Sequence, residues 1–278
     1  MVSRKTRTVR KKLGQHFLID QTIVARILSS AHIESTDCVL EIGPGRGVLT
    51  NPLAEQVRQL TAIEYDPLLA ETLRQRFADC EHVHILYGDA RRLDYADLFQ
   101  EEMSWQQRVK IVANLPYYAA TPIMLALFQH RTRFGRGTFM FQQEVAERLT
   151  ASPGSKAYGS LSVITQFYSE THYDFSVPPQ AFRPRPKVDS AVITLRLHET
   201  PLSHVDDQDF FIRLVKQAFA TRRKTLKNTL TKGAPAICTS TQLHDAYDEL
   251  RFDERIRGEE LSVNDFANLC NILTRQRD

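Results

Sequence analysis

A chain of 278 residues with 42% hydrophobic and 25% charged residues can bury a normal core, which argues against disorder and predicts one large domain plus a smaller one. The net charge of +3 conceals two blocks without acidic residues, +6 over residues 1–14 and +7 over residues 211–232, which leave −10 for the remaining chain. Either block alone is explained as well by a solvated face or tail as by a binding surface. Two blocks against an acidic remainder favour a polyanionic partner, nucleic acid in particular.

The sequence argues against a membrane span and a secretory signal. Residues 111–130 carry no charge and are long enough to cross a bilayer, but Asn114, Pro116 and Pro122 favour a strand, a turn and a helix instead. The basic N-terminus has no apolar core behind it. The cysteines lie far apart without a CxxC pair, at Cys38, Cys80, Cys238 and Cys270. This usage predicts reduced thiols in a cytoplasmic protein, with neither a disulfide framework nor a metal site.

Strand and helix patterns alternate through the first two thirds of the chain. Apolar residues at helical spacing in residues 14–33 predict an entry loop and a helix. The helix after the fourth strand is predicted to start near Thr121 and Pro122, because proline fits the first turn of a helix. Strands are predicted within residues 37–50, 59–66, 83–89, 109–118, 137–149, 173–177 and 188–197.

This alternation predicts an α/β, Rossmann-like fold in which helices cover both faces of a mostly parallel sheet. From about Pro201 the strand patterns stop, and amphipathic helices are predicted within residues 209–230, 239–250 and 261–273. The predicted organisation is a basic arm at residues 1–14, a sheet domain at residues 15–200 and a small all-α domain at residues 201–278.

A glycine-rich turn, Gly43 to Gly47, follows the first predicted strand. Ligands of open parallel sheets bind beyond the carboxyl ends of the strands, and glycines such as Gly43 and Gly45 let a ligand lie against the backbone. Val48 stands where the dinucleotide fingerprint needs a third glycine, and no Gly-Lys-Ser/Thr follows. The turn therefore predicts a nucleotide-like cofactor that is neither a nicotinamide, a flavin nor a nucleoside triphosphate.

Carboxylates end the next two predicted strands. Glu64 can accept both hydroxyls of a ribose, and Asp89 can accept a hydrogen bond from an adenine amino group. Either residue alone is more often a helix cap or a turn residue. Together, beside the glycine-rich turn, they predict a bound adenosine without a pyrophosphate, and S-adenosylmethionine fits that description.

The fourth predicted strand ends in Asn114, Leu115, Pro116 and Tyr117. The N6 lone pair of adenine is delocalised into the ring, so the nitrogen attacks a methyl group only when its hydrogens are held. The Asn114 amide oxygen and the Leu115 carbonyl can accept those hydrogens, with Pro116 fixing the turn. Tyr117 offers a face on which an unpaired or flipped base can stack. A strand-ending turn with core tyrosines is the alternative, but the neighbouring cofactor residues favour methyl transfer to an adenine amine, without a metal.

Several segments resemble the ribosomal RNA adenine N6-dimethyltransferases, and above all the members that act on the bacterial small subunit. These segments are "LGQHFLID", "LEIGPGRGVLT", "NLPYY", "SPGSKAYGSLSV", "FRPRPKVDSAV" and "AFATRRKTLKNTL". The resemblance runs from about Lys11 to near the C-terminus. It implies a class I methyltransferase with a seven-stranded sheet whose last strand is reversed, followed by a helical domain that faces the ribosome.

The resemblance also implies which residues form the site. It implies Phe182 as a second ring that sandwiches the target adenine with Tyr117. His16 stands where the family often has asparagine, which leaves its hydrogen bond to the cofactor open. Around the cofactor the resemblance implies His16, Leu18, Gly43, Glu64, Asp89 and Asn114. The basic blocks supply the candidate RNA contacts Arg10, Lys11, Lys12, Arg222, Arg223, Lys224 and Lys227.

The family's substrate is a pair of adjacent adenosines in a hairpin loop near the 3′ end of 16S rRNA, dimethylated in an assembling small subunit. The resemblance therefore implies 16S rRNA and the small ribosomal subunit as partners, and nothing in the sequence demands a dimer.

Three alternatives remain open. The first is a sister enzyme that dimethylates large-subunit rRNA, although "RRKTLKN" and "GEELSVNDF" in the helical tail favour the small-subunit enzymes. The second is a DNA adenine methyltransferase, for which no sequence-reading module is evident. The third is a binding protein that checks ribosome assembly, in which binding matters more than catalysis.

Overall fold

The computed structural model of the protein describes residues 15–99, 108–221, 223–233 and 235–277. These residues form two compact units. The predicted basic arm lies outside the described residues. The first unit runs to Ala146 and resumes for His172–Glu199, and the second comprises Glu147–Thr171 and the residues from Thr200 onward. This division differs from the predicted boundary at residue 200, since residues 147–171 cluster with the C-terminal helices.

A seven-stranded sheet forms the centre of the first unit. The strands in the described residues are β1 (Phe17–Leu18), β2 (Cys38–Ile42), β3 (Gln59–Glu64), β4 (Val83–Tyr87), β5 (Val109–Asn114), β6 (Phe134–Gln142), β7 (Ser169–Val177), β8 (Phe182–Arg183) and β9 (Ser190–Leu197). The sheet order is β4-β3-β2-β5-β6-β9-β7. Neighbours from β4 to β6 are parallel, whereas β9 is antiparallel to β6. The predicted mostly parallel sheet with a reversed last strand is confirmed.

Helices follow most of the parallel strands. They are α1 (Gln21–Ala31), α2 (Thr50–Ala54), α3 (Pro67–Arg76), α4 (Tyr95–Leu98), α5 (Tyr117–Gln129), α6 (Gln143–Leu149) and α7 (Ser160–Tyr168). Aspartates start two of them, because a carboxylate satisfies backbone N–H groups that have no helical acceptor. Asp20 accepts from the first turn of α1, and Asp66 accepts from the first turn of α3. Every residue of β2 is buried, as expected for a central strand covered on both faces.

The start of α5 differs from the sequence prediction, which was wrong by about four residues. The helix begins at Tyr117, directly after Pro116, and Pro122 lies inside it. Pro122 is the sixth residue of the helix, so it removes the hydrogen bond that an N–H there would donate to the Tyr118 carbonyl, and the helix nevertheless continues to Gln129. Residues 111–130 thus form a strand, a turn and a helix. No helix in the described part of the chain is long and apolar enough to cross a membrane.

The second unit is helical. Besides α7 it contains α8 (Gln208–Ala218), α9 (Leu226–Thr231), α10 (Ser240–Leu250) and α11 (Val263–Arg275). The segment around α7 belongs here because Phe167 stacks on Phe211 with ring centroids 4.3 Å apart. In addition, the Tyr158 hydroxyl donates to the Leu261 carbonyl at 2.9 Å. The predicted C-terminal helices are therefore confirmed, and they gain a partner from the middle of the chain.

Candidate functional site

A two-lobed cleft lies at the carboxyl ends of β2, β3, β4 and β5, where ligands bind in open parallel sheets. The first lobe encloses about 620 Å³ of space, counted together with its part open to solvent. The second lobe, of about 510 Å³ counted in the same way, extends towards the turn after β4. Both lobes are lined by Gln15, Gly43, Glu64, Leu115 and Pro116.

The cleft brings together every predicted cofactor and catalytic residue. Asp89 lines the second lobe. The first lobe is lined by His16, Leu18, Gly43, Gly45, Glu64, Asn114, Leu115, Pro116, Tyr117 and Phe182. Most of these residues were predicted at strand ends, and parallel strands bring their carboxyl ends to the same edge of the sheet.

The glycine-rich turn needs its glycines for two different reasons. Gly43 and Gly45 have φ angles of +74° and +58°, which side-chain-bearing residues rarely adopt. A Cβ on Gly43 would also lie 3.4 Å from the backbone oxygen of Asn114, and one on Gly45 would lie 3.3 Å from the Phe17 ring. The turn therefore leaves bare backbone between β2 and β5, a surface against which a ligand can lie.

Glu64 ties the turn to the end of β3. One carboxylate oxygen accepts from the Gly45 N–H at 2.9 Å, and the other accepts from the Asp66 N–H at 2.8 Å. The side chain is only 4% exposed, and this burial raises the pKa of Glu64 against the lowering effect of the Asp66, Gly45 and Tyr65 N–H groups. A carboxylate has about four acceptor sites, so its oxygen atoms can still accept from a ligand hydroxyl.

Asp89 is held by a neighbouring arginine. The Arg91 Nε and Nη2 atoms donate to its two carboxylate oxygens at 2.8 and 2.6 Å. These hydrogen bonds hold the pKa of Asp89 below its usual range. Asp89 is thus a fixed, ionised acceptor in the second lobe, suited to an amino group of a bound base.

Asn114 and Leu115 present free acceptors to the first lobe. Within the described residues, neither the Asn114 side-chain amide nor the Leu115 carbonyl takes part in a hydrogen bond. Asn114 is half-buried at the end of β5, in register with Met140 of β6. Both acceptors therefore stand at the carboxyl end of β5 and are available to a ligand in the first lobe.

Tyr117 is oriented by two contacts. Its hydroxyl lies 2.6 Å from the Ser190 hydroxyl, and its ring is stacked on His16 with centroids 5.8 Å apart. The His16 Nδ1 atom lies 2.8 Å from the Pro184 carbonyl oxygen, to which it donates. The tyrosine ring forms a wall of the first lobe, and His16 is its neighbour on that wall.

The Phe182 ring does not present an exposed face on which a base could stack. It lines the first lobe, but its side chain is only 1% exposed and packs in the apolar core. In β8 it pairs with Leu18 of β1. A base sandwiched between Tyr117 and Phe182 therefore requires the Phe182 ring to become more exposed, and this role stays a prediction.

Sequence reasoning missed several residues of the cleft. Arg46 lines the first lobe, with its guanidinium 4.5 Å from the Phe17 ring centroid. Tyr65, Arg91 and Tyr118 line the second lobe, and both tyrosines are about half exposed. Each stands within two residues of a predicted site residue, so the strand-end rule applied to flanking positions could have found them.

The predicted RNA contacts are described only in part. Arg223 and Lys224 are exposed in the second unit, just before α9. The Lys227 ammonium lies 3.6 Å from the Glu254 carboxylate, which partly neutralises it. The others lie outside the described residues, namely Arg10, Lys11, Lys12 and Arg222.

The described residues also bear on metal binding. Across residues 15–99, 108–221, 223–233 and 235–277, no three His, Cys, Asp or Glu side chains form a group that could hold a metal ion.

The chain is similar to known proteins over nearly its whole length. The family model for ribosomal RNA adenine dimethylase matches residues 6–275. A ribosomal RNA small subunit methyltransferase A from Halothermothrix orenii is 40% identical over 263 residues, covering 95% of this chain and 87% of that protein. The protein of the same name from Listeria innocua is 41% identical over 266 residues, covering 95% of this chain and 90% of its own.

Two solved structures share the architecture of nearly the whole chain. A dimethyladenosine transferase from Plasmodium falciparum has a TM-score of 0.80 and 25% identity, covering 94% of this chain and 98% of that chain. The 23S rRNA methyltransferase ErmE has a TM-score of 0.69 and 25% identity, covering 93% and 99%. The sheet and the C-terminal helices are thus those of class I rRNA methyltransferases.

A second acid, Glu41, lies beneath the glycine-rich turn. It precedes Gly43 by two residues in β2, and it is 1% exposed. Burial raises its pKa to about 8, although the Thr50 hydroxyl lowers it, and the charge of Glu64 adds to the rise. Glu41 is therefore protonated in the folded protein near neutral pH.

The pH dependence of stability tests this burial. Because the folded protein binds the Glu41 proton more tightly than the unfolded chain, this group stabilises less as the pH rises from about 4.5 to 8, by up to about 1.4 kcal/mol per pH unit. We expect Glu41→Gln to gain stability relative to the wild type as the pH is raised from about 5.5 to 7.5 in denaturant titrations. The exposed Glu55→Gln variant is the control and should follow the wild-type profile. Parallel profiles for Glu41→Gln and the wild type would contradict an elevated pKa.

Proposed function

Because the chain belongs to the ribosomal RNA adenine dimethylase family and is a methyltransferase, we propose that it dimethylates the N6 atoms of two adjacent adenosines in 16S rRNA. The proposed target is a hairpin loop near the 3′ end, in an assembling small subunit. The observation that carries the proposal is the approach of Asn114 and Leu115 to the glycine-rich turn in one cleft. The acceptors proposed for the target amine thus lie in the same lobe as the backbone proposed to hold the methyl donor.

The cleft fits S-adenosylmethionine, which supplies an electrophilic methyl group when bound. We assign the ribose hydroxyls to the free acceptor sites of Glu64 and the adenine amino group to Asp89. The bare backbone of Gly43 and Gly45 lines the first lobe together with Glu64, and the cofactor can lie against it there. His16 and Leu18 line the same lobe and complete the proposed cofactor contacts.

The chain's part in the chemistry is to hold and polarise the target nitrogen. The Asn114 amide oxygen and the Leu115 carbonyl oxygen accept the two N6 hydrogens, which localises the lone pair towards the methyl group. With the methyl donor bound, the nitrogen would form its new bond to the methyl carbon as the carbon–sulfur electron pair leaves with sulfur, and it would then release a proton to water. Because the nitrogen becomes positive as it attacks, two fixed oxygen atoms stabilise the transition state more than the ground state.

Tyr117 supports the proposal that the base is extruded from the RNA. Its ring forms a wall of the first lobe beside the two acceptors, and base stacking on an aromatic ring contributes about 1–3 kcal/mol. An amine inside a stacked helix cannot reach Asn114, so the target must be unpaired or flipped out.

The small subunit is the favoured substrate because the relatives described above carry that name over nearly the whole chain. Incubation with labelled S-adenosylmethionine and undermethylated small or large subunits, followed by mapping of the labelled base, tests this choice. We expect label in small-subunit rRNA, on adenine N6. Label confined to large subunits would instead make the chain a large-subunit enzyme.

Replacement of Asn114 tests the proposed mechanism. We expect Asn114→Ala to reduce the rate of methyl transfer at saturating substrate by about 100-fold or more, as for the loss of other preorganised hydrogen-bonding groups. Affinity for undermethylated small subunits should be nearly unchanged, measured by cosedimentation. Undiminished methylation would remove Asn114 from the mechanism. If cells lacking the methylation but retaining the bound variant protein matured ribosomes normally, binding would be the more important role.

Replacement of Tyr117 tests base stacking. Tyr117→Ala should lower kcat/KM by about 5- to 150-fold, which corresponds to about 1–3 kcal/mol of lost stacking. Tyr117→Phe keeps the ring and loses only the contact with the Ser190 hydroxyl, so it should retain most of the activity. Calorimetry with S-adenosylhomocysteine serves as the control for an intact cofactor site. Equal losses in both variants would indicate a role for the hydroxyl in place of stacking.

A further inference from the structure

A basic segment borders the first lobe of the cleft. It follows Phe182 directly and contains Arg183, Arg185 and Lys187, all of them exposed. Within the described residues none of these three cations forms an ion pair, and the nearest acid in sequence is the exposed Asp189. We name residues 183–187 the cleft rim.

The cleft rim is fixed to the other wall of the cleft. Arg183 pairs with Phe17 across the β1–β8 ladder, and the Pro184 carbonyl oxygen lies 2.8 Å from the His16 Nδ1 atom. Just before the rim, the Ala181 carbonyl accepts from the Ile19 N–H at 2.8 Å. Two prolines in the rim restrict its backbone further, because each ring fixes φ. The cations are thus carried by an ordered segment at the first lobe.

The chemistry of the rim matches a polyanion. Guanidinium groups bind phosphate oxygens through paired N–H donors, and exposed arginines without a protein carboxylate have these donors available. Arg46, a further exposed cation, is itself part of the lining of the first lobe. A base that enters this lobe brings its own flanking phosphates to the rim, since they are covalently attached.

We propose that Arg183 and Arg185, with Lys187 beside them, bind the RNA phosphates that flank the target adenosine. This inference rests on the proposed function, because it assumes that the base in the first lobe belongs to an RNA strand. The rim acts next to the reacting atoms, whereas the two basic blocks at residues 1–14 and 211–232 lie in other parts of the sequence. Phosphate contacts of this kind fix the register of a strand without reading its sequence.

The test is a salt titration of RNA binding with the full-length protein. The probe is a short fluorescent single-stranded RNA that contains two adjacent adenosines, and its affinity is measured between about 50 and 200 mM salt. We expect the double variant Arg183→Gln, Arg185→Gln to flatten the slope of log affinity against log salt by about 1.4, since each single-strand phosphate contact contributes about 0.7.

A matched control removes the same charge from the opposite edge of the sheet. Arg58 precedes β3 and Arg133 precedes β6, so both lie at the amino ends of parallel strands, away from the cleft. The double variant Arg58→Gln, Arg133→Gln should keep the wild-type slope. The variant Arg183→Lys, Arg185→Lys, which retains both charges, should restore most of the slope. Calorimetry with S-adenosylhomocysteine should give the wild-type affinity in the rim variant, which also shows that the protein is folded.

Three results would overturn the rim proposal. They are a wild-type slope in the glutamine variant of the rim, an equal flattening in the control variant, and a wild-type protein that does not bind the RNA. Failure of the proposed function is recognised separately, because it would appear as a wild-type protein that methylates neither ribosomal subunit. The RNA titration still decides the role of the rim in that case.

Discussion

The buried carboxylate of Glu64 is the interaction on which the cleft depends. It joins the last residue of β3 to the glycine-rich turn after β2 and to the backbone that begins α3. A buried carboxylate is costly unless N–H donors surround it, so its desolvation is offset only while the turn keeps this conformation. The same side chain lines both lobes of the cleft. Folding and the proposed ligand binding therefore use one side chain, and the turn cannot change its conformation without removing the N–H donors of that buried carboxylate.

The strand ends along the carboxyl edge of the sheet carry different kinds of polar group. The ends of β3 and β4 carry ionised or ionisable acids, which suit hydroxyl and amino donors of a nucleoside. The end of β5 carries neutral oxygen acceptors, which suit an amine that gains positive charge as it reacts. Cations flank the first lobe at Arg46 and in the cleft rim. Each chemical group of the proposed reaction thus meets a complementary set of atoms, and no side chain has to serve as a general base.

The sequence predicted the sheet and most of the cleft because both depend on local patterns. Strand periodicity can be identified in the sequence alone, and so can the residues that follow a strand, such as Asn114 and Asp89. The start of α5 was missed because Pro122 also fits an N-terminal position, and only the tertiary structure shows that the helix already begins at Tyr117. From the residues alone Phe182 is a packing residue between prolines, and only the resemblance implies a stacking role; its packing partner in β1 lies more than 160 residues away in sequence, so no local pattern names it. The Arg91 contact to Asp89 likewise depends on side-chain conformation, which no periodicity encodes.

The β1–β8 pairing has a consequence for the order in which the cleft is built. Residues near position 17 leave the ribosome long before residues near position 183, and until both are available the first lobe lacks its His16 to Pro184 connection. A nascent chain that has already formed β2 and β3 therefore has the glycine-rich turn and Glu64, but it lacks the β1–β8 pair beside the first lobe. The cleft acquires its final shape only after almost the whole first unit has been synthesised, so a chain truncated before β8 would be expected to fold part of its sheet and still bind its ligands poorly.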